Sequence, residues 1–321
     1  MLHVISWIKD KVKSMKRTLQ DIGGLIPAMM TCFDEKGNYD ASRQKKLTNF
    51  LLKKGVDGLY LTGSTGETFL MNPEERKKVV ETVVDEVGGK IPLIVHVGDI
   101  GTGLSIDLAK HAEKAGADAI SSVPPFYWKF SGDEIYGYYK DISESCSLPM
   151  VVYNIALAGL VDFSMIRRLA SIENVKGIKY TATTHYEIMR IKEEIGHDFV
   201  VYSGCDEMAM SGLCFGADGI IGSFYNVIPE IFRHILDAQK AGKMEEMEYW
   251  QKCGDAVILF VLQYPFFSSM KQMLRYADID VGYCRKPFAR LTEAQEKELR
   301  SGLKKIKEKY HITGVATLEN L

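Results

Sequence analysis

Gly55-Val56-Asp57-Gly58-Leu59 returns in altered form as Gly116-Ala117-Asp118-Ala119-Ile120 and again as Gly216-Ala217-Asp218-Gly219-Ile220. Each copy follows an amphipathic, charged stretch and opens a short apolar run, so it reads as a helix ending and a strand beginning. The leading Gly permits the left-handed turn that closes a helix. Outward from these junctions, β-rich apolar runs recur at 25–30, 58–62, 93–97, 119–123, 150–154, 177–180, 199–203 and 219–222. Such runs suit parallel strands buried on both faces, and their alternation with helical stretches predicts βα units. The repetition favours a closed barrel over an irregular open sheet. The expected fold class is α/β, a (β/α)8 TIM barrel with a C-terminal helical extension.

The helical signals agree. Asn72-Pro73-Glu74-Glu75 supplies an N-cap, a proline at the first position and acids in the first turn. After Tyr225 the alternation gives way to helix, at 228–241 to close the barrel and then at 244–262, 268–276 and 292–309. The expected organisation is an extension over 1–20, a barrel over 21–241, a helical bundle over 242–310 and a loose tail over 311–321. Residues 1–20 are amphipathic and basic. They read as a membrane-surface helix, as an extra helix, or as a start placed too early, with Met15 the true first residue.

A net charge of −2 over 321 residues lacks the basic footprint of a nucleic-acid partner and points to small-molecule ligands. Cys32, Cys146, Cys205, Cys214, Cys253 and Cys284 lack CxxC spacing, against a zinc knuckle or a disulfide scaffold and in favour of a reducing cytoplasmic setting. No apolar run reaches the roughly 20 residues of a bilayer span, and no secretory leader precedes a small-residue cleavage site. A soluble, unexported protein with no membrane partner is expected.

In a barrel of this kind chemistry sits at the C-terminal ends of the strands. Strand two ends in Gly63-Ser64-Thr65-Gly66-Glu67, whose hydroxyls and backbone N–H groups cradle a carboxylate or simply make a turn. Strand five ends in Tyr153-Asn154, a phenol that relays protons or an amphipathic residue at the edge of the core. Strand six holds Lys179 in Gly177-Ile178-Lys179-Tyr180-Thr181. A lysine is rarely buried without a partner or a function. Burial disfavours a charged amine, and a neutral amine is what carbonyl attack needs; the plain alternative is a strand-end lysine reaching solvent. Asp206 and Glu207 after strand seven bind substrate hydroxyls or cap the next helix, and Gly222-Ser223 puts another hydroxyl at the mouth. His96 reads as a core histidine, and no residue set has metal-ligand spacing.

Taken together, these residues resemble the N-acetylneuraminate lyase and dihydrodipicolinate synthase family of class I aldolases, from about Gly24 to Arg290. The resemblance implies that Lys179 forms the Schiff base, that Ser64 and Thr65 hold the pyruvate carboxylate, and that Tyr153 shuttles a proton. It also implies that Tyr127, in Pro124-Pro125-Phe126-Tyr127, reaches into a neighbouring subunit to complete a hydroxyl relay with Thr65 and Tyr153, in a homotetramer built as a dimer of dimers. Lys179-Tyr180-Thr181, Gly204-Cys205-Asp206-Glu207, Gly222-Ser223-Phe224-Tyr225-Asn226 and Cys284-Arg285-Lys286-Pro287-Phe288 are similar to the lyase branch. That branch implies Thr181, Gly204, Asp206, Glu207 and Ser223 along the polyhydroxylated chain of a 2-keto sugar acid. It implies reversible cleavage of N-acetylneuraminate to N-acetylmannosamine and pyruvate, with no metal and no external cofactor.

The synthase branch would carry an Arg soon after Tyr153-Asn154, where this chain reads Ile155-Ala156-Leu157-Ala158-Gly159-Leu160. Ala156 stands where the lyase pattern has Pro, Cys205 where it has an aromatic, and Cys32 where Pro is common. The competing readings are another pyruvate-dependent aldolase or dehydratase of 2-keto-3-deoxy sugar acids, the synthase itself, and a non-catalytic sugar-acid binding protein.

Overall fold

The computed structural model describes residues 17–321. Eight parallel strands alternate with eight helices: β1 Gly24–Pro27, α1 Ala41–Lys53, β2 Leu59–Leu61, α2 Pro73–Val87, β3 Leu93–His96, α3 Thr102–Ala115, β4 Ala119–Ser122 and α4 Gly132–Glu144. The series continues with β5 Met150–Ile155, α5 Phe163–Ala170, β6 Val175–Thr181, α6 Tyr186–Glu194, β7 Val200–Ser203, α7 Ala209–Cys214, β8 Gly219–Gly222 and α8 Pro229–Lys240. Hydrogen-bonded neighbours run β1-β8-β7-β6-β5-β4-β3-β2. The remaining seam between β1 and β2 is closed by the parallel bridge of Ala28 with Tyr60 and by the Met29 N–H donating to the Tyr60 carbonyl at 2.8 Å. The expected (β/α)8 barrel is the fold observed, its strands slightly shorter or longer than the apolar runs predict.

The recurring Gly-x-Asp junction has a double physical cause. Gly55, Gly116 and Gly216 lie at φ +70°, +99° and +93°, conformations that a side chain would strain. Each Asp then clamps the strand next door. The Asp57 carboxylate accepts the Leu25 N–H at 2.7 Å, that of Asp118 the Leu93 N–H at 2.9 Å, and that of Asp218 the Val201 N–H at 2.7 Å. A cation completes each clamp: Arg233 on Asp57, Arg17 on Asp118 and Lys192 on Asp218. These clamps lie at strand starts, the face opposite the expected chemistry, and serve stability.

Side chains fill the barrel in two shells. Outward-facing strand residues and the helices make the larger core, while Ile26, Tyr60, Ile94, Val151, Tyr153, Tyr202 and Ile221 pack the lumen with Leu19 and Ile22. Leu19, expected within the extension, thus belongs to the barrel, and the Tyr202 hydroxyl donates to the Ile22 carbonyl at 2.8 Å. The readings of the extension as a membrane-surface helix, as an extra helix or as a start at Met15 lie outside the described residues. Beyond α8 come α9 Met244–Val261, α10 Phe266–Tyr276, α11 Glu293–Lys309 and α12 Ala316–Glu319. The last of these corrects the expectation of a loose tail. Ile312, Val315 and Leu318 are buried in the core, α12 packs on α10 and α11, and the Thr317 hydroxyl donates to the Val227 carbonyl at 2.7 Å. Among the described residues no single helix is long and apolar enough to cross a membrane.

Candidate active site

Lys179 owes its position to the pleat of β6. A register irregularity between β5 and β6 at Met150 and Val151 sets Val151 against Gly177, Tyr153 against Lys179 and Ile155 against Thr181. A slip of one residue would turn Lys179 out towards the helices. In this register the side chain enters the lumen, only 3 % exposed. Its Nζ lies 4.1 Å from the Tyr153 ring centroid and 4.5 Å from that of Tyr60. Tyr60 and His96 both meet Tyr153 near edge-on, at centroid distances of 5.9 and 6.1 Å.

His96 is fixed as a neutral wall of this chamber. The Val123 N–H donates to its Nε2 at 3.3 Å, so Nδ1 carries the proton and donates to the Thr62 carbonyl at 3.1 Å. Burial, with the Arg76 guanidinium nearby, holds its pKa well below the usual histidine range. The reading of a satisfied core histidine describes this geometry.

Above the chamber the chain after β2 makes two short 3₁₀ turns, Ser64–Gly66 and Thr68–Leu70. They meet at Glu67, a non-glycine residue held at φ +58°. The N–H groups of Ser64 and Thr65 stand in the first turn, where helical geometry leaves donors without an internal acceptor. The Thr65 hydroxyl lies 2.7 Å from that of Ser223, which joins the end of β2 to the end of β8. The hydrogen bond of Thr65 therefore runs to Ser223, not to Tyr153.

The remaining candidates line the β6–β8 side of the mouth. The Thr181 hydroxyl is buried without a hydrogen-bond partner among the described residues. Gly204 packs against it so closely that a Cβ would overlap the hydroxyl oxygen. Asp206 is 6 % exposed; its carboxylate accepts the Phe224 N–H at 2.8 Å, and a Cβ on Gly222 would collide with it. Burial pushes the Asp206 carboxyl up to about 7, with the Glu207 charge adding to the rise and the Phe224 N–H and Lys179 opposing it. Neither acid caps α7, which begins at Ala209 without a side-chain cap; Asp206 instead ties the end of β7 to that of β8. Glu207 is exposed at the mouth. Behind this turn Gln251 of α9 donates to the Asp206 carbonyl at 3.1 Å and to the Asp255 carboxylate at 2.8 Å.

Tyr127 stands apart. It is 82 % exposed at φ +81°, its ring against Trp128 at a centroid distance of 4.9 Å. Sequence reasoning passed over Tyr60, Gln251 and Lys271, and quoted Asn226 in a motif without giving it a role. Asn226 accepts the Met30 N–H and donates to the Ala28 and Ser223 carbonyls, bracing the mouth from behind. Asn226 carried a local signal, a polar residue between apolar neighbours, whereas Lys271 reads as an ordinary helix position until the fold buries it.

A buried lysine inside a barrel, a phenol opposite it and a donor-rich turn above it suit covalent capture of a 2-keto acid. Residues 21–306 match the model of the Dihydrodipicolinate synthetase family. N-acetylneuraminate lyase from Citrobacter koseri is 38 % identical over 287 residues, covering 88 % of this chain and 96 % of that protein. The crystal structure of N-acetylneuraminate lyase from Mycoplasma synoviae superposes with a TM-score of 0.84 at 33 % identity, covering 91 % of this chain and 99 % of that one. A catalytic lysine mutant of Ruminococcus gnavus sialic acid aldolase does so with a TM-score of 0.86 at 31 % identity, covering 92 % and 99 %. With the family's model spanning the whole barrel and most of the helices beyond it, this chain belongs to the dihydrodipicolinate synthetase family.

Proposed function

We propose that the chain is an N-acetylneuraminate lyase that works through a Schiff base on Lys179. The observation that carries this reading is Lys179 itself, buried in the lumen against Tyr153 in a chain whose curated relatives bear that name. The Lys179 amine attacks C2 of the open-chain sugar acid, and loss of water leaves a protonated imine. Ser64 and Thr65 hold the C1 carboxylate. Tyr153, left as the phenolate after giving its proton to the departing C2 hydroxyl, takes the proton of the C4 hydroxyl as the C3–C4 bond breaks, and the bonding pair moves into the C2–C3 bond of an enamine on Lys179. N-acetylmannosamine departs as the aldehyde. Protonation at C3 and hydrolysis of the imine free pyruvate and the lysine. Thr181, Gly204, Asp206, Glu207 and Ser223 face the hydroxyl-bearing chain. Supporting a polyol over a second carboxylate, the turn after β5 is Ala156–Ala158 with Leu157 82 % exposed, and it offers no cation.

Completion of the site by a second copy is part of the proposal. Tyr127 and Trp128 are too exposed and too apolar to be left to solvent, and a homotetramer would bury them, with the Tyr127 hydroxyl extending the relay next door. None of the six cysteines forms a disulfide, which fits a reducing cytoplasmic home. The test is release of pyruvate from N-acetylneuraminate, followed through lactate dehydrogenase, with Lys179→Ala as control. Lysine-dependent release is the expected result. Pyruvate capture without release would move the reading to another 2-keto-3-deoxy sugar acid, and binding without capture would leave a sugar-acid binding protein.

A further inference from the structure

Glu67 and Lys271 form an ion pair that the barrel mouth hides completely. The two side chains are 0 % and 2 % exposed, and Nζ lies 2.8 Å from the carboxylate. The other two Lys271 donors and the second Glu67 oxygen are taken by backbone groups of two separate segments. Lys271 also donates to the Thr31 carbonyl at 2.9 Å and the Tyr283 carbonyl at 2.7 Å, and the second Glu67 oxygen accepts the Arg285 N–H at 2.7 Å. Taking two charges out of water costs several kcal/mol per ion, so such a pair is seldom the most stable way to fill a core.

Its location explains its use. Glu67 is the residue at φ +58° where the two 3₁₀ turns meet, a conformation that costs a side-chain-bearing residue free energy unless its surroundings hold it. The side chain that could hold it is its own, anchored to α10 and to the segment before Lys286. Ser64 and Thr65, one turn earlier, take their direction from that hinge.

We propose that Lys271 is a positioning residue for the carboxylate-binding turn: acting through Glu67, it aims the Ser64 and Thr65 donors, and so makes the helices beyond the barrel part of the pyruvate half of the site. The proposal rests on the reading of that turn as the carboxylate site. It predicts a split between the two halves of the synthetic reaction. Lys271→Met should raise KM for pyruvate roughly tenfold, what one lost hydrogen bond to a charged group amounts to. KM for N-acetylmannosamine should stay within about twofold, because the sugar side is built from β6, β7 and β8.

A single substitution leaves a buried carboxylate without its cation and can cost the fold, so the double variant Glu67→Met/Lys271→Met is measured beside it. Replacing both charges by apolar groups often restores stability but does not restore the tether. The double variant should melt near the parent and keep the raised KM for pyruvate. Unchanged KM values in a folded variant, or equal rises for both substrates, would overturn the proposal and leave the pair a stabilising contact. Borohydride trapping of pyruvate on the parent separates the two levels. If Lys179 of the parent takes up no pyruvate, the reading of the site fails and the proposal falls with it.

Discussion

Replacing Asp206 by Asn tests whether the sugar side of the mouth is as dry as its burial implies. The displacement of this carboxyl from the usual 3.8 to about 7 is worth roughly 4 kcal/mol. Its sign is set by which state holds the proton. Between pH 4 and pH 7 the unfolded chain has lost it and the folded chain keeps it, so stability falls as pH rises through this window and levels off above the folded value. Roughly 3 kcal/mol of the loss falls between pH 5 and pH 8. The amide of the Asp206→Asn variant stays neutral throughout and can still accept the Phe224 N–H. Asp255, whose carboxyl burial raises to about 6, is common to both proteins and cancels in the comparison. The assay is thermal melting of parent and Asp206→Asn at equal concentration across that pH range. Between pH 5 and pH 8 the variant's melting temperature should gain on the parent's by roughly 6 °C, taking about 2 °C per kcal/mol for a chain of this size, with part of the gap already open at pH 5 because the unfolded carboxyl is ionised there. Melting temperatures that track each other with pH, or a parent that gains on the variant as pH rises, would refute the reasoning.

Gly204→Ala drives a methyl group into the Thr181 hydroxyl; overpacking of this kind costs about 1–3 kcal/mol. The variant should show a raised KM for N-acetylneuraminate while pyruvate capture persists, and an unchanged KM would remove Thr181 from the sugar site. Asp218→Ala removes the acceptor shared by the Val201 N–H and Lys192 at the opposite face. It should cost about 2 kcal/mol by denaturant unfolding with kcat unaltered, and a fall in kcat would deny that this rim is purely structural.

The legible parts of the chain were those whose signal is local. A glycine that must turn left-handed before a strand announces itself at positions 55, 116 and 216, so the barrel could be counted out. Lys179 was conspicuous as a charge inside an apolar strand. The aspartates of the same junctions gave no such signal, because the acceptor role of Asp57 is towards Leu25, 32 residues earlier, and that of Asp118 towards Leu93, 25 residues earlier. The Glu67–Lys271 pair spans 204 residues; Lys271 looks like an ordinary polar position of an amphipathic helix until the fold buries it. The final segment misled for the opposite reason. Ile312, Val315 and Leu318 sit three apart, a helical spacing in a stretch too short to read as one, and only the folded core gives them something to cover. Asp206 shows a subtler limit: capping and substrate contact were the visible alternatives, and the observed bond to the Phe224 N–H belongs to neither.

The most direct test of the Schiff-base assignment is the mass of the protein after incubation with pyruvate and borohydride, followed by peptide mapping. One reduced pyruvyl adduct per chain, on the peptide containing Lys179 and absent from Lys179→Ala, is the predicted result. A protein that takes up no adduct, or carries it on another lysine while Lys179→Ala still turns over N-acetylneuraminate, would contradict it.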